Sequence, residues 1–306
     1  RPRTLIAAFS ATTARTTSSD GVGRRMRRNR GREDGNWGTL RVGPLRSMQH
    51  TTLVLLAAGS STRFGRPKQL EPIGPHGETI MELTLRDAFD MGCEDACLVV
   101  RPEHEAIMRE RLAKDGRVRI SIQSQALGTA HAALIGMEHA LGTCIVANAD
   151  DYYGRESMRL ACEHARNGTV DQSALVAFEL GKTLSDHGPV NRALCTAARD
   201  LLRSTQEVLG LRRDAAIRDG VGNEHDARSL VSMNLWVLRQ GYTQLAKQLW
   251  HEHGGAPTGE FGLPDAVHFA LRNKHEFQIL RTPDRWCGLT FPADADLVRQ
   301  HLSEQP

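Results

Sequence analysis

The 306-residue sequence has few aromatic residues, few cysteines and no long apolar run. Hydrophobic residues make up 40% of the chain and aromatic residues 5%, which is compatible with an ordinary globular protein. No stretch approaches the roughly 18 apolar residues that a membrane-spanning helix requires, so we expect no membrane partner. The G-x-G-x-x-G signature is absent, which argues against a nicotinamide dehydrogenase, and the loop after the first predicted strand lacks the G-K-[ST] that a P-loop would have there.

The cysteines are scattered along the chain and form no C-x-x-C pair. The six are Cys93, Cys97, Cys144, Cys162, Cys195 and Cys287. In a chain of this length, such spacing predicts buried thiols in a reducing compartment rather than a disulfide framework or a zinc site. We therefore expect a cytoplasmic protein that folds on its hydrophobic core alone.

Positive charge is concentrated at the front of the chain. Residues 1–47 contain eleven arginines and three acidic residues, a net charge of +8, whereas the whole chain carries only +3. The remaining residues are therefore acidic overall, which argues against a body that binds nucleic acid. Residues 1–47 also lack periodicity and are rich in Ser, Thr and Gly, so we expect them to be disordered.

Three interpretations of residues 1–47 compete. Their composition suits a transit peptide, the RRMRRNR run suits a nucleic-acid-binding arm, and the segment is also compatible with an extension outside the native protein. We favour the extension, because Met48 stands just before the first predicted strand. A version that starts at Met48 is expected to fold and act normally, with a single catalytic domain at 48–306.

From residue 51 onwards the chain alternates between apolar strands and amphipathic helices. Strands are predicted at 52–58, 96–100, 118–123, 143–147, 173–180, 230–238 and 277–280. Helices are predicted at 81–89, 104–114, 129–141, 156–166, 242–253, 264–273 and 296–302. Repeated strand–helix units with short connections predict an α/β fold with a single, mostly parallel twisted sheet flanked by helices.

The loop after the first strand is the best candidate for a ligand site, because open α/β sheets bind ligands beyond the carboxyl ends of their strands. Small and glycine residues there let backbone N–H groups approach phosphate oxygens. Arg63 and Lys68 follow and can neutralise phosphate charge. The other candidate phosphate-binding residues are Ala57, Ala58, Gly59, Ser60, Ser61 and Thr62. The alternative is an ordinary turn between a strand and a helix.

Three motifs resemble those of the nucleotidyltransferases that join a nucleoside triphosphate to a sugar 1-phosphate. LAAGSSTRFGRPK, at 56–68, resembles the family's LAAG-x-G-[ST]-R signature with its later PK; Ser61 stands where the family usually has Gly. QSQALGTAHA, at 123–132, resembles the segment that reads the base in related uridylyltransferases. NADDYYG, at 148–154, resembles the NADD-[FY]-YG form of the family's G-D motif, which is found in one bacterial subgroup.

The resemblance implies a Rossmann-like nucleotide-diphospho-sugar transferase fold and a Mg²⁺-dependent reaction, similar to that of UDP-sugar pyrophosphorylases. It implies that Asp150 and Asn234 are the metal ligands and that Arg63 and Lys68 neutralise the charge of the triphosphate. Gln123, Gly128 and Thr129 are the implied contacts to the base, which favours uridine, with thymidine and cytidine as alternatives. The partners are then a nucleoside triphosphate and a sugar 1-phosphate, and the product is an NDP-sugar. The oligomeric state stays open.

Several residues keep two interpretations. Asp151, Gly188 and Glu207 are candidates for the sugar side, although we favour a capping role for Asp151 in the next turn or helix. Asn234 could instead bond to neighbouring backbone. His131 is either a ligand contact or a half-buried structural histidine.

Other functions also stay open. A non-sugar acceptor of the phosphocholine or molybdopterin type would use the same loop. A non-catalytic regulatory relative is disfavoured, because the candidate charged residues and metal ligands are all present.

Overall fold

The computed structural model describes residues 50–59, 70–112, 115–252, 260–289 and 294–303. The strands in these residues are β1 (Thr51–Leu56), β2 (Asp95–Val100), β3 (Val118–Ile122), β4 (Thr143–Asn148), β5 (Asp151–Tyr152), β6 (Ser173–Glu179), β7 (Val190–Ala198), β8 (Leu201–Arg213), β9 (Ile217–Arg218), β10 (Glu224–His225), β11 (Leu230–Leu238), β12 (Phe277–Arg281) and β13 (Cys287–Gly288). The helices are α1 (Ile80–Asp90), α2 (Glu105–Leu112), α3 (Thr129–Met137), α4 (Arg155–Asn167), α5 (Gln240–Glu252), α6 (Leu263–Arg272) and α7 (Asp294–Ser303). The prediction of disorder for residues 1–47 lies outside the described residues.

The central sheet is mixed. In the described part of the chain its order is β10-β9-β8-β12-β6-β11-β4-β1-β2-β3, with β7 paired to β8 and β11. β1 is parallel to β2 and β4, and β6 is parallel to β12, whereas β11 lies antiparallel between β4 and β6. The predicted α/β class is confirmed, but the prediction of a mostly parallel single sheet is wrong. The apolar run of β11 shows that both of its faces are buried and carries no information about its direction.

An antiparallel arm, built from β7 to β10, was not predicted from the sequence. β7 and β8 pair along most of their length and are joined by a tight turn. Arg199 and Asp200 form this turn in left-handed backbone conformations, with φ of 52° and 59°. That geometry suits a two-residue hairpin, but the usual Asn-Gly or Asp-Gly signal is missing. The many exposed polar residues of β8 also conceal its period of two.

Helices cover both faces of the sheet and bury β1 completely. Leu53 and Leu55 belong to a core cluster that includes residues of α1 and α4. Val54 and Leu56 point to the other face and belong to a cluster that includes residues of α3, α5 and α6. This alternation follows from the strand period of two. β1 and β4 end side by side, with Leu56 paired to Asn148, so the loops that follow these strands meet at one edge of the sheet.

The cysteine side chains are consistent with the prediction of buried thiols. Five of the six are buried, and Cys195 is half-buried. No helix in the described residues is both long enough and apolar enough to cross a membrane.

Candidate functional site

A cavity of about 310 Å³ opens where β1 and β4 end. Six residues predicted from the sequence line it: Ala58, Gly59, Gln123, Gly128, Thr129 and Asp150. They come from three separate motifs, and the parallel arrangement of the strands brings them to the same edge of the sheet. We call this space the nucleotide cavity.

The phosphate loop is described only at its start. Ala57 is fully buried, and its backbone N–H donates to the carbonyl of Val99 at 2.8 Å. This amide serves the sheet and is not free to donate to a phosphate oxygen, while a contact of Ala57 with the nucleotide stays a prediction. The predictions for Ser60, Ser61, Thr62, Arg63 and Lys68 lie outside the described residues.

The opposite wall of the nucleotide cavity depends on Gly128. Its backbone has φ 99° and ψ 173°, a region that glycine alone adopts readily. A Cβ at this position would lie 2.4 Å from the carbonyl oxygen of Phe261. Ala130 donates to that same oxygen at 2.9 Å, and Phe261 donates to Leu127 at 2.8 Å. These two backbone hydrogen bonds join the motif around Gly128 to the segment that leads into α6.

Gln123 and His131 form a hydrogen-bonded pair in this wall. Gln123 is buried, and its Nε2 donates to the carbonyl of Gly128 at 3.1 Å. The same Nε2 lies 3.0 Å from Nδ1 of His131. The His131 ring stacks on Trp250 with 4.6 Å between ring centroids, and burial lowers the pKa of His131.

A second cavity, of about 490 Å³, adjoins the first. The predicted residues Asp151, Glu207 and Asn234 line it, and Asn148 lines both cavities. We call this second space the acceptor cavity. Gly188 precedes β7 and is not among the residues that line either cavity.

Asn234 is presented by a bulge in β11. Its φ is 64°, and the pairing of β11 with β6 shifts register between Ser232 and Trp236. A non-glycine residue in this region costs about 1–3 kcal/mol, and such strain is concentrated at functional sites. Trp236 Nε1 lies 3.5 Å from Asn234 Oδ1, at the limit of a hydrogen bond.

The predicted Mg²⁺ ligands lie in adjacent cavities, with Asp150 lining the first and Asn234 the second. Carboxylate and amide oxygens suit Mg²⁺, which takes few protein ligands and keeps substrate phosphates and waters. Among the described residues, no group of three or more His, Cys, Asp or Glu side chains could hold a metal. The carboxylate and the amide oxygen therefore fit a Mg²⁺ ion whose remaining ligands are substrate oxygens and waters.

Asp151 does not cap α4. The backbone N–H of Ser157, in the first turn of α4, donates to Asp284 Oδ2 at 2.8 Å, so Asp284 supplies the capping carboxylate. Asp151 is buried, and its Oδ2 accepts a hydrogen bond from Asn148 Nδ2 at 2.8 Å. The carboxylate at the first turn of α4 is therefore that of Asp284, while a capping role for Asp151 in the next turn stays a prediction; Asp151 orients the Asn148 side chain, which lines both cavities.

Arg192 brings a buried positive charge to the acceptor cavity. Its Nε donates to the carbonyl of Thr183 at 3.1 Å and its Nη1 to that of Asn191 at 2.8 Å. The guanidinium lies over the Trp286 ring, 4.8 Å from the ring centroid. Burial lowers the pKa of Arg192 to about 10, while Asp151 acts in the opposite direction. The side chain therefore stays charged at neutral pH.

Sequence reasoning missed His268 and Thr205 in the acceptor cavity. His268 Nε2 lies 2.9 Å from Thr205 Oγ1 and 2.8 Å from the Thr205 carbonyl. Thr205 and Glu207 are two apart on β8 and so share one face of that strand. This alternation could have indicated them if β8 had been recognised as a strand.

Comparison with known families and curated proteins gives consistent matches. Residues 53–223 match the family described as the MobA-like NTP transferase domain. The bifunctional protein GlmU of Nitrobacter hamburgensis is 29% identical over 238 residues, which cover 76% of this chain and 48% of that protein. The bifunctional protein GlmU of Rhodopseudomonas palustris is 27% identical over 240 residues, with the same coverages. The chain thus spans about half the length of the curated relatives it matches.

Two solved structures share the fold. The inositol-1-phosphate CTP transferase from T. maritima has a TM-score of 0.60 and 14% identity, covering 84% of this chain and 97% of its own. A protein from Bacillus anthracis, named as a glucose-1-phosphate thymidylyltransferase and solved with sucrose, has a TM-score of 0.63 and 12% identity, with coverages of 84% and 96%. At these identities the likeness concerns the fold alone.

Proposed function

The chain belongs to the family of MobA-like NTP transferase domains, and from this premise we propose that it makes an NDP-sugar. In the proposed reaction a nucleoside monophosphate passes from a nucleoside triphosphate to a sugar 1-phosphate, and pyrophosphate leaves. The family membership confirms the sequence prediction of a nucleotidyltransferase enzyme.

The observation that carries the proposal is the pair of adjoining cavities at the ends of β1 and β4. Asn148 lines both of them, so a ligand in one lies next to a ligand in the other. A transfer between two bound substrates requires this adjacency, because holding both reactants in place removes much of the entropic barrier.

A sugar 1-phosphate suits the acceptor cavity better than a non-sugar acceptor. Glu207 lines this cavity, and a carboxylate there can accept hydrogen bonds from sugar hydroxyls. The names of the two structural neighbours specify inositol 1-phosphate and glucose 1-phosphate, both ring polyols with a phosphate at position 1. The same names specify different bases, so they support the acceptor class without fixing the nucleotide.

The chemical step needs positioning and charge neutralisation more than proton transfer. An oxygen of the acceptor phosphate attacks the α-phosphorus of the nucleotide in line, and the bond to pyrophosphate breaks. A phosphate monoester is already nucleophilic, so no general base is required. Asp150 and Asn234 would hold Mg²⁺, which when bound neutralises charge on the reacting phosphates.

The remaining roles belong to the walls and to the phosphate loop. Gln123, Gly128 and Thr129 line the side of the nucleotide cavity that would bind the base. In the proposal Arg63 binds the β- and γ-phosphates, and Lys68 stabilises the charge that develops on the α-phosphate and the leaving group. A cytoplasmic location is part of the proposal and is supported by the six free cysteines.

A substrate matrix tests the proposed function. The four ribonucleoside triphosphates and dTTP are each combined with glucose 1-phosphate, N-acetylglucosamine 1-phosphate, inositol 1-phosphate and phosphocholine, with Mg²⁺ present. We expect pyrophosphate release with at least one sugar 1-phosphate and a product of NDP-sugar mass. Release with phosphocholine alone would refute the sugar acceptor, and no release in any combination would refute the transferase activity.

A further inference from the structure

The hydrogen bonds of Gln123 determine which way its amide faces. The carbonyl oxygen of Gly128 can only accept, so the Gln123 atom 3.1 Å away must be the donor Nε2. The second N–H of the same Nε2 is directed to Nδ1 of His131 at 3.0 Å. Both donors of the amide are therefore occupied by the protein.

The one group of the Gln123 side chain that stays available for a ligand is therefore the acceptor Oε1. In the described part of the chain, Oε1 of Gln123 accepts no hydrogen bond and is not among the buried atoms that lack a partner. It is therefore accessible to solvent, and Gln123 lines the nucleotide cavity. An amide with both its donor and its acceptor available could hydrogen-bond to either an acceptor or a donor on a base. The Gln123 amide can bond only to a donor, because only Oε1 is available.

His131 must act as an acceptor in this arrangement. Its Nδ1 can accept only in the neutral tautomer that carries the proton on Nε2. Burial lowers the pKa of His131, which keeps the ring neutral at pH 7. The stack on Trp250, with ring centroids 4.6 Å apart, holds the imidazole against rotation.

We propose that His131 is a positioning residue for base selection: by accepting from Nε2 it keeps Oε1 of Gln123 turned towards the base. The nucleotide that fits carries a ring N–H at the contact, as uracil and thymine do at N3. Cytosine carries a bare nitrogen at the same position, so its lone pair would face Oε1. This inference rests on the proposed function, because it concerns how the nucleotide of that reaction is chosen.

The test compares kcat/KM for UTP and for CTP with the sugar 1-phosphate that the substrate matrix identifies. His131→Phe keeps a ring to stack on Trp250 but removes the acceptor, and His131→Leu is a second acceptor-free variant. His131→Asn can place an amide oxygen near the position of Nδ1. His139→Phe is the matched control, because His139 is exposed on the segment that follows the same helix.

The wild type is expected to prefer UTP. Losing one hydrogen bond should lower the UTP-to-CTP preference by about threefold to tenfold in His131→Phe and His131→Leu. The loss should appear mainly as a higher KM for UTP, because the base does not take part in the chemical step. His131→Asn should restore much of the preference, and His139→Phe should not change it.

Two results would overturn the inference. One is an unchanged preference in whichever acceptor-free variant retains the wild-type melting temperature, and the other is a wild type that prefers CTP. In either case, wild-type pyrophosphate release would leave the proposed function standing. A failure of the proposed function would instead appear as no release with any nucleotide.

Discussion

Replacing Gly128 by alanine should damage both the fold and nucleotide binding, whereas the same change at Gly77 should damage only the fold, and less severely. Both glycines have positive φ, 99° and 84°. An added Cβ would lie 2.4 Å from the Phe261 carbonyl at Gly128 but would meet nothing within 4 Å at Gly77. Gly77→Ala therefore measures the cost of a side chain at positive φ without a steric contact.

The contacts of the two glycines set the expected difference in stability between Gly77→Ala and Gly128→Ala. The backbone strain should cost about 1–2 kcal/mol at Gly77. At Gly128, where φ 99° and ψ 173° lie in a region that glycine alone adopts readily, the backbone strain is joined by displacement of Phe261, whose N–H and C=O make hydrogen bonds to Leu127 and Ala130. We expect about 3 kcal/mol in total there. At about 2–4 °C per kcal/mol for a domain of this size, the melting temperature should fall by about 6–12 °C for Gly128→Ala and by about 2–8 °C for Gly77→Ala.

Thermal denaturation measures the first effect, and the KM for the nucleoside triphosphate measures the second. The KM should rise in Gly128→Ala, because the shifted Phe261 segment moves the wall that carries Gln123 and Thr129. It should stay at the wild-type value in Gly77→Ala. If Gly128→Ala and Gly77→Ala lost equal stability and had equal KM values, the close approach of Gly128 to Phe261 would have no role in stability or in nucleotide binding.

Two further predictions concern the acceptor cavity and the buried histidines. Glu207→Gln should raise the KM for the sugar 1-phosphate by about tenfold while leaving the KM for the nucleotide unchanged. Glu138→Gln, at an exposed position, is the control. A rise in both KM values of Glu207→Gln would refute the assignment of Glu207 to the acceptor. Burial lowers the pKa of His164 and of His275 below the ordinary 6.5, so the folded state favours their neutral forms. The free energy of unfolding that they contribute should therefore be fully present above pH 6.5 and should decline as the pH falls below it. Melting temperatures between pH 7.5 and 5 should fall less steeply in His164→Gln than in the wild type, and an equal slope would contradict this reasoning.

The sequence was most informative where motifs meet the ends of apolar strands. The sequence predicted that β1 and β4 lie in one α/β sheet. From this alone, Asp150 was expected to lie near the loop that follows β1. Gly128 was expected to contact the base, and in the structure its lack of a Cβ allows the close approach of the Phe261 backbone. Local pattern and strand order therefore account for most of the nucleotide cavity.

The acceptor cavity could not be predicted to the same extent, because long-range pairing builds it. Thr205 and Glu207 lie on β8, an arm strand whose exposed polar residues concealed its period. His268 comes from α6, 63 residues away from Thr205. The direction of β11 and the bulge that presents Asn234 also depend on the neighbouring strands, about which the run LVSMNLWVL carries no information.

Asp151 shows how a plausible local rule can fail. An acidic residue shortly before a helix often caps it, and Asp151 precedes α4 by four residues. The structure instead uses Asp284, which reaches the first turn of α4 from the segment after β12. A contact across 127 residues takes the place of the local one at this helix, and Asp151 bonds with Asn148.

The most direct test of the central claim follows the α-phosphorus. The enzyme is incubated with Mg²⁺, a sugar 1-phosphate and a nucleoside triphosphate labelled with ³²P either at the α- or at the γ-position. The account predicts that the α-label enters an NDP-sugar and that the γ-label leaves in pyrophosphate. Asp150→Asn should reduce this transfer by about a hundredfold or more at an unchanged melting temperature, while Asp171→Asn, at an exposed position, should not. Transfer of the γ-label to the acceptor, or full activity in Asp150→Asn, would contradict it.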